Sequence, residues 1–175
     1  MGKQTAYDMM IEKIEIYHAA TEAIIKPLCG IGRKNLDFGP GFYMTDVYDQ
    51  AVMWASRRAS ERQLPAILNV YILDRGCMFK NARVKIFENY DREWLNFIIS
   101  CRKGEPVWAE YDYIEGGVAN DRVIDTVNLY INGLISEEGA IRRLRYIRPN
   151  NQICILNQEM LDRYLKFNEA IELSD

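Results

Sequence analysis

The chain has 175 residues, with 49% apolar and 27% charged positions, which suits one folded domain and does not lead one to expect disorder. Twenty-two basic against 25 acidic residues leave a net charge of −3, which argues against a protein whose main business is gripping a phosphate backbone. Four scattered cysteines (Cys29, Cys77, Cys101, Cys154) form no CxxC and have no nearby histidine, so reduced thiols in a cytoplasmic setting are expected, with no metal site.

Residues 1–11 read as a loosely amphipathic lead-in, with no signal peptide, and no membrane span is expected anywhere. Ile14-Glu15-Ile16-Tyr17-His18-Ala19 alternates as a strand and ends on the single histidine of the chain. A lone histidine serves either as a surface or satisfied core residue or, through its near-neutral pKa, in a site. Residues 21–36 carry Pro27, Gly30, Gly32, Arg33 and Lys34 and read as an irregular connection whose basic pair faces either water or a phosphate. Asp37-Phe38-Gly39-Pro40-Gly41-Phe42-Tyr43-Met44-Thr45 then sets two glycines around a proline ahead of a short strand. Such a turn lets the backbone pass close to a neighbour. Its two aromatics suit either the core or the flank of a flat ligand.

Asp46 is the expected N-cap of a helix whose inner face is Val47, Ala51, Trp54, Ala55 and Arg58 or Ala59, stopped by Pro65. Ala66–Leu73 is a nearly continuous apolar strand, expected to be central and covered on both faces, and Asp74-Arg75-Gly76 is expected to turn out of it. A weaker strand follows at Val84–Phe87. Asp91 caps a helix with Trp94, Leu95, Ile98 and Ile99 on one stripe, ending near Gly104, and Trp108 falls in a loop. Tyr111–Glu115 reads as a strand closed by Gly116-Gly117. Asn120-Asp121 precede a helix on Val123, Val127, Tyr130 and Ile131, and Ser136 with Glu137 and Glu138 opens another, broken at Pro149. Gln152–Leu156 is the last expected strand, and the last expected helix carries Met160, Leu161, Tyr164 and Leu165. Arg122, Arg142, Arg143, Arg145 and Arg148 read as a solvated helix face.

No GxGxxG or GxxxxGK follows a strand, and neither an internal repeat nor a linker divides the chain. Residues 1–175 are therefore one α+β domain. Composition and periodicity stop there.

Motif order goes further. Tyr17-His18-Ala19-Ala20-Thr21, Asp37 to Thr45, Gln50-Ala51 and Trp54-Ala55 resemble a family of small bacterial ADP-ribosyltransferase-like proteins, chiefly known as a domain of unknown function. Glu93-Trp94-Leu95, Tyr111-Asp112, Val118-Ala119-Asn120-Asp121-Arg122 and Asn151-Gln152-Ile153-Cys154 continue the likeness, which runs from about residue 14 to 168. The resemblance implies a split β-sandwich with flanking helices that binds NAD between two small sheets and uses a His-Tyr-Glu triad. It implies His18 on a ribose hydroxyl, the Ala19 backbone on the nicotinamide carboxamide, and Tyr43 stacked on the nicotinamide ring. It makes Phe38, Gly41, Phe42, Thr45, Asn120 and Asp121 further NAD-binding candidates. The third catalytic position falls on Gln152, where the family pattern has glutamate.

Cleaving the nicotinamide–ribose bond builds positive charge on the ribose, which a carboxylate stabilises and an amide does not. Either Gln152 suffices for a slow or specialised transfer, or Glu115, Asp112 or Asp121 supplies the charge. A third alternative is a domain that binds NAD without turning it over. Tyr-His-Ala-Ala also lacks the hydroxyl residue of the family's Tyr-His-Gly-Thr or Ser. The expected activity is mono-ADP-ribosyl transfer from NAD to a protein or nucleic-acid acceptor, by the toxin of a toxin–antitoxin or phage-defence module with a cognate antitoxin as partner. The alternatives are a non-catalytic NAD or ADP-ribose binding module and an NAD glycohydrolase.

Overall fold

In a computed structural model, residues 13–32, 35–119, 121–147 and 150–174 are described, with the backbone alone at 121 and 122. The lead-in at 1–11, Arg33, Lys34, Asn120, Arg148 and Pro149 lie outside this set, as do the side chains of Asp121 and Arg122.

The strands expected at 14–19 and 66–73 are β1 (Lys13–Ala20) and β3 (Ala66–Asp74), which pair antiparallel from Lys13 opposite Asp74 to Ala20 opposite Ile67. β3 is central, as its apolar run requires, but its second neighbour is a strand that sequence pattern does not mark. After helix α6 (Gln158–Tyr164), β7 (Leu165–Leu173) runs back along β3, from Leu73 opposite Leu165 to Ala66 opposite Leu173, with a bulge at Val70/Tyr71. The expected last helix therefore stops one residue before Leu165.

A second sheet, in the order β2-β6-β5-β4, is built from β2 (Phe42–Met44), β6 (Asn151–Ile155), β5 (Tyr113–Gly117) and β4 (Val84–Ile86). β5 begins two residues later than expected and runs through Gly116 and Gly117, which pair with Gln152 and Asn151. A side chain at Gly116 would meet Phe87, and one at Gly117 the ring of Tyr90, so these glycines extend the strand under two aromatics and do not end it.

The remaining helices are α1 (Tyr48–Arg62), α2 (Arg75–Phe79), α3 (Arg92–Arg102), α4 (Asp121–Ile131) and α5 (Glu137–Leu144). Asp91 and Ser136 cap α3 and α5 by accepting from the backbone N–H of Trp94 and Gly139, satisfying donors that a helix start leaves open. Asp74 accepts from Cys77, so the expected turn is the start of α2. Asp46 does not cap α1. The cap position is Val47, whose N–H donates to Thr45 Oγ1, while Asp46 accepts from Asn151 Nδ2 at 2.9 Å. α1 buries Gln50, Ala51, Ala55 and Ala59, and Trp54 is half-buried on its margin. Trp108 lies in a single 3-10 turn, Val107–Glu110.

Two cores result. Ile16, Tyr71 and Leu73 of the first sheet meet Phe42, Met44, Tyr113, Ile153 and Ile155 of the second. The opposite face of the second sheet, through Ile114 and Cys154, packs with Phe38 beneath Trp94, Leu95, Ile98, Val123, Val127, Ala140 and Leu144 of α3, α4 and α5. Alternation along β2 and β6 sends neighbouring side chains into different cores. α1 covers the first sheet by packing on β1 and β3.

Candidate functional site

Among the described residues, one isolated antiparallel bridge joins the backbones of the two sheets. Tyr17 and Thr45 exchange both backbone hydrogen bonds at 2.9 and 3.0 Å, after which β1 and β2 part. His18 and Ala19 stand at this fork. The His18 ring lies on the Phe42 ring, centroids 4.4 Å apart and 26° from parallel, and Nδ1 is 2.6 Å from the carbonyl oxygen of Tyr43. A carbonyl only accepts, so Nδ1 carries the proton and donates, which leaves Nε2 as the acceptor nitrogen of a neutral ring. Burial disfavours the imidazolium and lowers the pKa to about 4; the bond to Tyr43 opposes that shift and the Arg58 charge adds to it. Tyr17's backbone groups face Thr45, so the two-residue period of the strand turns those of Ala19 the same way, into the fork. There the Ala19 carbonyl accepts from Arg58 Nη1 at 3.0 Å.

Tyr43 and Gln152 take the other face. The half-buried Tyr43 ring packs against the helix-covered core, and its hydroxyl donates to Gly39 O at 2.7 Å while accepting from Phe38 N at 2.9 Å. Burial pushes this phenol well above its ordinary range. The buried Gln152 donates from Nε2 to Asp37 Oδ2 at 3.1 Å and to Gly117 O at 3.4 Å. His18 thus reaches Tyr43 through the backbone, while the polar ends of Tyr43 and Gln152 are committed to the turn at 37–39 and to β5.

The close approach forecast for the glycine-rich turn is made within the chain. Gly39 has φ +85°, and a Cβ there would lie 2.4 Å from the Trp108 ring; one at Gly41 would lie 2.3 Å from Cys154 Sγ. Phe38 and Phe42 are buried, one in each core. The buried Thr45 hydroxyl donates to Asn151 O at 2.8 Å and accepts from Val47 N and Gln50 Nε2. Asn120 and the Asp121 side chain lie outside the described residues.

Of the acids weighed as substitutes for glutamate, Asp112 is clamped by Arg83 Nε and Nη2 at 3.0 and 2.9 Å and by Asn157 at 2.9 Å, and these bonds to Arg83 hold its carboxyl well below the usual range. Glu115 points to the inter-sheet side. It accepts from Tyr113 Oη at 2.6 Å and Asn151 Nδ2 at 2.9 Å, with Arg75 Nη1 at 3.7 Å. It lies on the wall of a shallow groove of about 360 Å³ at the ends of β4 and β5 and the start of β6, beside Gly116, Gly117 and Asn151. Among the described residues, no cluster of His, Cys, Asp or Glu is arranged to hold a metal ion.

Three polar residues here, Gln50, Asp37 and Arg102, were not among the residues expected to form the site. Gln50 sits on the buried face of α1, donates to Asn151 O at 2.7 Å, and keeps Oε1 buried without a partner. Reversing that amide would set its oxygen against the Asn151 carbonyl, so the unsatisfied acceptor belongs to the fold. Asp37 and Arg102 form a salt bridge at 2.6 Å under the turn. Polar residues adjoining apolar runs, Gln50 beside Ala51 and Asp37 beside Phe38, were the available signal.

These features define an α+β domain whose two sheets meet at one bridge, with a neutral histidine at the fork. The chain belongs to the DUF3990 family of proteins of unknown function, which it matches over residues 14–167. Comparison with curated proteins and with solved structures returned no match. No helix among the described residues is long and apolar enough to cross a membrane.

Proposed function

We propose that this domain is an ADP-ribosyltransferase-like split β-sandwich that transfers ADP-ribose from NAD to a macromolecular acceptor and releases nicotinamide. The observation that carries the reading is His18 at the fork, held neutral with Nδ1–H committed and Nε2 left to accept a hydroxyl proton. The backbone edge of Ala19 beside it suits a ligand that carries an amide donor, in competition with Arg58.

In the proposed reaction the C1′–N bond of the nicotinamide riboside breaks and its electron pair leaves with nicotinamide, which becomes neutral. The acceptor's nucleophile bonds to C1′ and gives up its proton. His18 fixes the ribose by accepting from one of its hydroxyls, and Gln152 offers its amide at the strand that carries glutamate in the resembling family. Glu115, held by Tyr113 and Asn151, is the carboxylate that would supply the negative charge Gln152 lacks. With Arg58 already on the Ala19 carbonyl, nicotinamide would take that carbonyl in competition with the guanidinium.

Nicotinamide release from NAD by the purified protein tests this reading. Wild type should release it, and His18→Ala should lose about a hundredfold or more, the order expected when one well-placed polar contact is removed. As the toxin of a toxin–antitoxin or phage-defence module, the wild type should halt growth of a bacterial host on induction and His18→Ala should not. No release with NAD saturably bound would replace transfer by a second reading, a non-catalytic NAD-binding module. The commitment of the Gln152 amide to Asp37 and Gly117 favours that alternative.

A further inference from the structure

The Gln152 amide is oriented by what it touches. Asp37 Oδ2 at 3.1 Å and Gly117 O at 3.4 Å are both acceptors, so the end facing them is the NH2 group and Oε1 is the end left for other donors. Asp37 is itself fixed by three hydrogen bonds from two groups. Arg102 donates to Oδ1 from Nε at 3.0 Å and Nη2 at 2.6 Å, and the Ala119 N–H donates to Oδ2 at 3.1 Å. The carboxylate is buried and stands immediately before Phe38, so turn, β6, β5 and the end of α3 converge on it.

We infer that Asp37 is the positioning residue of Gln152, a carboxylate one hydrogen bond behind the strand that holds the NH2 group and so turns Oε1 away from itself. Its bearing on catalysis rests on the proposed reading of Gln152 as a site residue. A hydrogen bond from an amide to an ionised acceptor is stronger than a neutral one and polarises the amide. A glutamate at 152 would put two carboxylates at hydrogen-bond distance, where both cannot be ionised at once. Facing Asp37 are Arg102 and Cys101 from α3, Tyr43 from β2, and Tyr90; Cys154 neighbours Tyr43 on β6. Burial pushes the tyrosines and cysteines up, so Arg102 is the charged partner near neutral pH.

The test compares wild type, Asp37→Asn, Gln152→Glu and the exchanged pair Asp37→Asn/Gln152→Glu. Urea unfolding from pH 5 to 8 needs no ligand. In Gln152→Glu the shared proton gives one carboxyl a folded-state pKa above its unfolded value, so its contribution to stability is present at the acid end and is lost as pH rises. The exchanged pair has one carboxylate and one amide again and should lose that slope. Folding of Gln152→Glu only at the acid end is the same result in stronger form. A Gln152→Glu profile parallel to wild type across this range overturns the inference, whatever Asp37→Asn does. In nicotinamide release, Asp37→Asn should lower kcat about tenfold with KM within twofold, and the exchanged pair should recover most of the loss. A pH slope that appears and is rescued, with no release from any of the four proteins, sinks the transfer reading and leaves the coupling of the two side chains standing.

Discussion

His18 titrates outside the range in which histidines usually work. Its folded pKa of about 4 lies below the ordinary 6.5, so between those values the unfolded chain binds the extra proton. Its contribution to stability is therefore whole above pH 6.5 and is lost as pH falls toward 4. His18→Gln should flatten this part of a urea-unfolding profile, and nicotinamide release should be level through neutrality and fall only in acid. Tyr43 separates differently into ring and hydroxyl. The hydroxyl closes its own turn with two hydrogen bonds, so Tyr43→Phe should cost about 1–3 kcal/mol in urea unfolding while the ring keeps its packing. A loss near zero would mean the turn is held by its glycines and Phe38 alone.

At the scale of elements, the turn before β2 is the most constrained connection. Gly41→Ala would drive a methyl into Cys154 Sγ and the Ile155 carbonyl, and a cost of about 1–3 kcal/mol or more is expected from chemical denaturation. The Gly-Pro-Gly signal was legible because it is local. So were Asp91 and Ser136 as caps and the apolar run of β3. Asp46 misled because an exposed aspartate before a helix has the right chemistry, yet Thr45 had already taken the Val47 N–H and Asn151 had claimed the aspartate. β7 was illegible for a different reason. Lys166, Asn168, Glu169 and Glu172 are exposed along an edge strand and interrupt its apolar alternation, and its extended state is imposed by β3 opposite, not by its own residues. His18 was singled out first as the lone histidine ending a strand and then, like Gln152, through motif order. Asp37, which holds Gln152, could not be paired with Arg102 from sequence, since 65 residues separate them.

Across the whole molecule, buried polar contacts tie distant segments to the two sheets. The Asp37–Arg102 pair joins the turn before β2 to α3 and, through the Ala119 N–H, to the segment leaving β5. Arg102→Ala would leave a buried carboxylate without its cation, and a loss of about 3–5 kcal/mol is expected, with cooperative unfolding shifted to lower urea. A second tie holds the irregular segment over the first sheet. Buried Asn69 accepts from Ile24 N and donates to Glu22 O, while Tyr71 Oη donates to Ile24 O at 2.6 Å. Long-range contacts of this kind leave no periodic trace, which is why 21–36 read only as irregular.

The strand order β1-β3-β7 also sets a timetable. β1 lies near one end of the numbering and β7 near the other, and both need β3 between them. During synthesis β1 and β3 can pair early, but β3 keeps a bare hydrogen-bonding edge until residues 165–173 have been made. Sheets closed by such distant segments form slowly and expose strand edges meanwhile. The His18 fork accordingly rests on a sheet that stays unfinished until β7 has been made, so a nascent chain carries the histidine long before it has the frame that holds it.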